Sequence, residues 1–225
     1  MAGFLHKLYQ FYKKPITKHL KGKIETSPKI ELPSRLLQNT QVLSNREVLL
    51  EHLPKKGAVV ELGVDQGEFS KKILEVNNPN KLFLIDTWNS KRFSSNKKLA
   101  LEKELEQNIK TGQVQIIQND SLSASSNFRD NSLDWIYIDT DHSFNTTYAE
   151  LKAYAPKVKV EGFIAGHDFT QGSFDNIVVF GVIEAVRKFC TEESWELAYL
   201  TLDANNYFSF AIKRTIQPLI TKVTF

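Results

Sequence analysis

One cysteine, Cys190, in 225 residues excludes an internal disulfide, a zinc finger and an iron–sulfur cluster held by thiolates. A reducing, cytoplasmic setting is the expectation that follows. Glycine and proline are few, 10 and 7, which argues against collagen-like or low-complexity chains. No apolar run approaches the roughly 20 residues that a membrane-crossing helix requires, so a soluble chain is expected. No sign of charge dominates either: 29 Lys and Arg against 26 Asp and Glu leave +3, too small an excess to indicate a nucleic-acid partner. What is present, 41% hydrophobic and 24% charged residues, suits one well-buried α/β domain with short extensions.

The first 23 residues lack the compact apolar stretch and small-residue cleavage site of a secretory signal. They place Phe4, Leu5, Leu8, Phe11, Tyr12 and Ile16 at three- and four-residue spacing, with Lys7, Lys13, Lys14, Lys18, Lys21 and Lys23 largely elsewhere. This is the pattern of a basic amphipathic helix that needs a partner. The partner is the domain itself or a second subunit on one reading, and a membrane surface on the other. Residues 22–40 carry Pro28 and Pro33 and little periodicity, as a linker or wrapping segment does. The chain therefore divides into a helix and linker over 1–40 and a domain over 41–225.

Ser44 and Glu47 have capping-box spacing ahead of Val48, Leu49, Leu50 and Leu53, and Pro54 ends that helix. Short apolar runs follow at Ala58–Leu62, Leu82–Ile85, Val114–Ile117, Leu133–Ile138 and Phe163–Ala165. They read as strands buried on both faces. Helical patterns at 67–76, 95–110, 121–127 and 144–155 separate them, which predicts right-handed crossovers and a mainly parallel sheet. A helix near 176–190 and two strands, Trp195–Leu202 and Tyr207–Lys213, close the sheet with a hairpin.

The first strand runs into Glu61-Leu62-Gly63-Val64-Asp65-Gln66-Gly67-Glu68, a glycine-bearing turn that opens a helix where α/β sheets bind nucleotides. Gly63 and Gly67 permit a tight turn and close backbone approach. Asp86, 19 residues after Gly67, is placed to accept from ribose hydroxyls. Asp65, with Glu61 and Glu68 nearby, would repel a pyrophosphate but attract a ligand bearing a sulfonium and an ammonium. Asp120 suits either an adenine amino group or the cap of the next helix. Asp139-Thr140-Asp141-His142 and Gly166-His167-Asp168 leave neighbouring strand ends, so their acids and imidazoles can converge before a cofactor. Asp141 also fits a helix-start acid. The polar stretch Thr170–Asn176 has the make-up of a lid or of a plain surface loop, and Trp88, Arg92 and Phe93 that of adenine contacts or ordinary packing groups.

ELGVDQG, LFLIDTW, QNDS, DNSLDWIYIDTDHSF and GFIAGHDF, in this order, resemble a class I S-adenosylmethionine-dependent methyltransferase. The chain is most similar to the group called methyltransferase domain 24, related to O-methyltransferases of macrolide sugars, over about residues 42–213. The resemblance implies a Rossmann-like seven-stranded sheet in the order 3-2-1-4-5-7-6, the last strand antiparallel. It implies a cofactor site at Glu61, Gly63, Asp65, Gly67, Asp86, Asp120 and Asp139, and methyl transfer to a hydroxyl of a sugar or other small metabolite. It also implies a divalent cation, Mg²⁺ or Mn²⁺, at Asp139, His167 and Asp168, and a general base at His142. His167 departs from the all-oxygen ligand pair of those relatives, leaving a metal-free base at His142 or His167 as the competing arrangement. Two other functions compete: a nicotinamide-dependent oxidoreductase, disfavoured by Asp65 and the glycine spacing, and a non-catalytic binding or assembly module whose basic N-terminal helix docks on a membrane or partner. The partners expected are a small-molecule acceptor, a membrane surface at the N-terminal helix and a second copy in a homo-oligomer.

Overall fold

The computed structural model describes residues 28–89, 95–173 and 177–215, with the isolated positions 13, 18, 20 and 22. The amphipathic pattern of residues 4–16 and the positions Arg92 and Phe93 lie outside the described residues. Ten strands are described: β1 (Gln41–Leu43), β2 (Ala58–Leu62), β3 (Lys81–Asp86), β4 (Val114–Gln118), β5 (Leu133–Ile138), β6 (Val158–Gly166), β7 (Gly172–Ser173), β8 (Val178–Val179), β9 (Trp195–Thr201) and β10 (Phe210–Arg214). The helices are α1 (Arg46–His52), α2 (Glu68–Asn77), α3 (Ser95–Glu104), α4 (Glu106–Lys110), α5 (Ser121–Ala124), α6 (Phe144–Tyr154) and α7 (Val182–Glu193).

The main sheet runs β1-β9-β10-β6-β5-β2-β3-β4. Without β1 this is the expected order, and β10 pairs antiparallel with both β6 and β9. The sheet has eight strands rather than seven because Gln41–Leu43 adds in parallel to β9, covering what would otherwise be an open edge. The segment before it wraps this edge. Leu36 is fully buried in the core, and Thr40 Oγ1 donates to the Leu197 carbonyl at 2.7 Å.

Strand periodicity of two divides the core. Val60, Leu62, Ile136 and Ile138 face the layer of α5, α6 and α7, while Val59, Trp135 and Tyr137 face that of α1 to α4. In the parallel centre Glu61 lies beside Tyr137 on one side and Leu84 on the other. All the parallel strands end at one rim, and the loops there build the cleft.

Local capping differs from the expected pattern. Asn45, not Ser44, caps α1, its side chain accepting from Val48 N at 2.9 Å. The helix expected over 95–110 breaks at Leu105 into α3 and α4, and α7 begins at Val182. The expected lid stretch contributes Gly172–Ser173 to a small antiparallel ribbon with Val178–Val179, and Phe174, Asp175 and Asn176 lie outside the described residues. Among the described residues no helix is long and apolar enough to cross a membrane.

Candidate functional site

A cleft of about 660 Å³ opens where β2, β3, β4 and β5 end, and its lining includes Glu61, Gly63, Asp65, Asp86, Asp120, Asp139, His142 and Asp168. The turn after β2 forms one wall. Gly63 has φ +83°, and a Cβ there would stand 1.9 Å from the Asp139 carbonyl oxygen, so β2 and β5 loops touch only because the side chain is missing. Gly67, at φ +78°, opens α2, and a Cβ there would meet Leu101 at 2.2 Å.

Asp86 anchors this turn. Its Oδ2 accepts from Val64 N at 2.9 Å and Asp65 N at 3.0 Å, and its Oδ1 from Trp88 N at 3.0 Å. With two lone pairs per oxygen, one acceptor direction remains on Oδ1 for a ligand. Trp88 is a buried packing residue whose Nε1 donates to the Asp65 carbonyl at 3.0 Å, bracing the same turn from below.

The three acids expected to set the cleft's negative charge are each answered internally. Asp65 pairs with Lys97 at 2.5 Å and Glu68 with Lys71 at 2.8 Å. Glu61 is buried and accepts from Ser70 Oγ at 2.5 Å. Burial pushes its pKa up to about 8, with Asp139 and Asp86 adding to the rise and Ser70 and Arg46 opposing it. Repulsion of a pyrophosphate by these acids is therefore weaker than composition suggests.

The opposite wall carries the densest polar chemistry. Asp139, His142 and Asp168 bring one ligand atom each within 4.8 Å of one another. His142 Nε2 lies 3.1 Å from Asp139 Oδ1 and 2.9 Å from Asp168 Oδ2. His142 replaces His167 in the converging trio. His167 stands beside it, Nδ1 at 3.7 Å from Asp139 Oδ2 and 3.5 Å from Asp168 Oδ2. Chain geometry explains the difference: His142 and Asp168 both adopt left-handed backbone, φ +60° and +55°, which turns their side chains inward at the strand ends.

Burial works against a charge on His142, but the hydrogen bonds to Asp139 and Asp168 outweigh it and push its pKa up to about 10. Burial likewise opposes ionisation of Asp168, yet the bonds from His142 and His167 hold its carboxyl well below the usual range. At neutral pH His142 is an imidazolium between two carboxylates. Its ring nitrogen can serve as a base or ligate a metal only after that proton has left.

Asp120 caps α5, its Oδ1 accepting from Ser123 N at 2.8 Å, while also lining the cleft. Asp141 is the helix-start acid, accepting from Ser143 N at 2.9 Å and Thr146 Oγ1 at 2.8 Å. Lining residues that sequence reasoning did not single out include Arg46, Asn119, Thr140 and Glu150. Glu150 is fully buried and accepts from Ser121 Oγ at 2.5 Å and Thr140 Oγ1 at 2.9 Å, tying the loops after β4 and β5 together. Burial pushes its pKa up to about 7 against those two bonds. Asn119 adjoins the QNDS motif and was within reach of a motif reading. Arg46 belongs to no local motif.

Residues 60–169 match the model of a family described as a methyltransferase domain, Methyltransf_24. Solved structures with the same fold include TrmK of M. capricolum in complex with S-adenosylhomocysteine (SAH), 16% identical, TM-score 0.54, over 78% of this chain and 70% of that one. A Streptococcus mutans protein described as a methyltransferase, also in complex with SAH, is 14% identical at TM-score 0.55, over 76% and 96%. A Staphylococcus aureus protein described as a caffeoyl-CoA O-methyltransferase is 16% identical at TM-score 0.56, over 94% and 98%. No curated protein sequence matches the chain. These structures show the fold that this chain shares, and the family match spans its stretch from β2 into the loop after β6.

Proposed function

We propose that this protein transfers a methyl group from S-adenosylmethionine to a hydroxyl of a small acceptor, a sugar or another metabolite. The observation that carries the reading is the pairing, in one cleft, of a glycine turn pinned by Asp86 with a cluster of two carboxylates and an imidazole. The donor supplies a sulfonium-activated methyl group, so the chain's task is alignment and deprotonation of the acceptor.

The residues fit such a donor. The bare Gly63 turn leaves room for close backbone approach, the open lone pair of Asp86 suits a ribose hydroxyl, and Asn119 and Asp120 stand at the end of β4 for the adenine. Asp65 and Gly67 serve by shaping the turn, and Glu61 by lining its floor. Asp139 and Asp168, bridged by His142, stand toward the reacting end.

The trio also fits a divalent cation, which would be held by Asp139, His142 and Asp168 and would favour the alkoxide of the acceptor. Its mixed oxygen and nitrogen donors suit Mn²⁺ better than Mg²⁺. In that arrangement His167 is the imidazole left to receive the proton. Without a cation, His142 fills that role in the fraction of molecules in which it has lost its proton, so turnover rises as pH approaches about 10.

Isothermal titration of the full chain with SAH and with NAD tests the donor. SAH uptake without NAD uptake is expected, and NAD uptake alone would overturn the reading. A parallel Mn²⁺ titration separates the two catalytic arrangements, since heat and proton release require His142 to give up its proton.

A further inference from the structure

Arg46 is the one Lys or Arg among the described residues that line the cleft. Its main chain is clamped at the start of α1. Asn45 caps the helix, and Arg46 N donates to Asp203 Oδ1 at 3.1 Å. Asp203 is itself held by Thr201 Oγ1 at 2.5 Å.

The side chain lies over an aromatic ring. Arg46 Cζ stands 4.7 Å from the centre of the Phe69 ring, and Phe69 lies 4.2 Å from Tyr137 between ring centres. Tyr137 sits next to Glu61 in strand register. The Arg46 charge acts on both Glu61 and Tyr137. Cation–π attraction holds the guanidinium over the ring, so its N–H donors can meet a planar anion with little further loss of side-chain freedom.

Topology says which end of a ligand it meets. In the order β5-β2-β3, Asp86 ends β3 on one side of the Gly63 turn, and the Tyr137–Phe69–Arg46 stack lies toward β5 on the other. A ligand whose ribose reaches Asp86 therefore extends its other end toward Arg46. The nearer acids of the turn already have partners of their own, Lys97 for Asp65 and Lys71 for Glu68.

We infer that the Arg46 guanidinium receives the carboxylate of the methionine portion of the donor, so that the cleft selects adenosine sulfur compounds carrying an amino-acid tail over those without one. The inference rests on the donor reading above. It assigns a binding residue outside every motif of the sequence.

The test compares SAH with 5′-methylthioadenosine by isothermal titration on the full chain. The two share adenine, ribose and the thioether sulfur and differ in the tail. Arg46→Gln should weaken SAH binding roughly ten- to hundredfold and leave 5′-methylthioadenosine within about twofold, while Arg46→Lys falls between the wild type and Arg46→Gln. Unchanged SAH affinity in Arg46→Gln overturns the inference, as does an equal loss for both ligands. A wild-type chain that binds neither compound overturns the donor reading itself.

Discussion

The Asp86 carboxylate holds the backbone N–H of Val64 at 2.9 Å. The residue proposed to meet the ribose of the donor thus also shapes the turn beside it. Asp86→Asn replaces one acceptor oxygen by a donor and removes the charge that strengthens three backbone bonds. We expect SAH affinity to fall by about 1–3 kcal/mol and the melting temperature to drop with it. Titration calorimetry and thermal unfolding read the two effects, and unchanged affinity would remove Asp86 from the binding site.

Gly63→Ala should be far more damaging than its size suggests. The new methyl group would lie 1.9 Å from the Asp139 carbonyl oxygen on a backbone at φ +83°, and no flexible side chain is there to yield. A loss of roughly 2–5 kcal/mol in chemical denaturation is expected. Gly112, at φ +78° with nothing within 4 Å, is the control: Gly112→Ala carries the backbone strain alone, about 1–2 kcal/mol. Similar losses at both sites would show that the contact with Asp139 does not matter.

His142 and His167 compete for the proton, and turnover separates them. Without a cation, His142→Ala lowers turnover by roughly 10²–10⁴, and His167→Ala has the smaller effect. If Mn²⁺ binds, His142→Ala weakens the metal and His167→Ala lowers turnover while leaving metal affinity in place. The readouts are single-turnover rates and Mn²⁺ titration, and normal rates in both variants would remove the imidazoles from the chemistry.

Glu61 and Glu150 give the unliganded protein a stability that declines with pH. Their folded pKa values, about 8 and about 7, lie above the ordinary 4.5. Between pH 4.5 and 8 the folded state binds more protons than the unfolded one, so stability is full below this window and is lost as pH rises through it. Glu61→Gln should remove part of the loss, raising stability at pH 8 relative to wild type by on the order of 3 kcal/mol more than at pH 4.5. Denaturant titrations at the two pH values measure it, and parallel shifts at both would show that Glu61 is ionised throughout.

The strand cores, the glycine turn and the hairpin were legible because each is written in contiguous residues: buried parallel strands need unbroken apolar runs, and a tight turn needs glycine where φ is positive. β1 was not legible, since three residues with exposed and half-exposed side chains carry no apolar pattern. They form a strand only because the β9 edge offers partners.

The acids and imidazoles at the strand ends were visible one by one, but their charges were not. Lys97 and Ser70 reach Asp65 and Glu61 across 32 and 9 residues, so the turn that reads as acidic is largely neutralised. The choice of His142 over His167 for the trio depends on two left-handed backbone positions that only the packing of the loops imposes. By itself the sequence determined the layers, the order of the central strands and the rim where a ligand site must lie, because hydrophobic periodicity and turn chemistry act over a few residues. Tertiary structure alone decided which carboxylates keep their charge, which imidazole sits between them and that Arg46 enters the cleft, because electrostatics depends on distance in space and on burial.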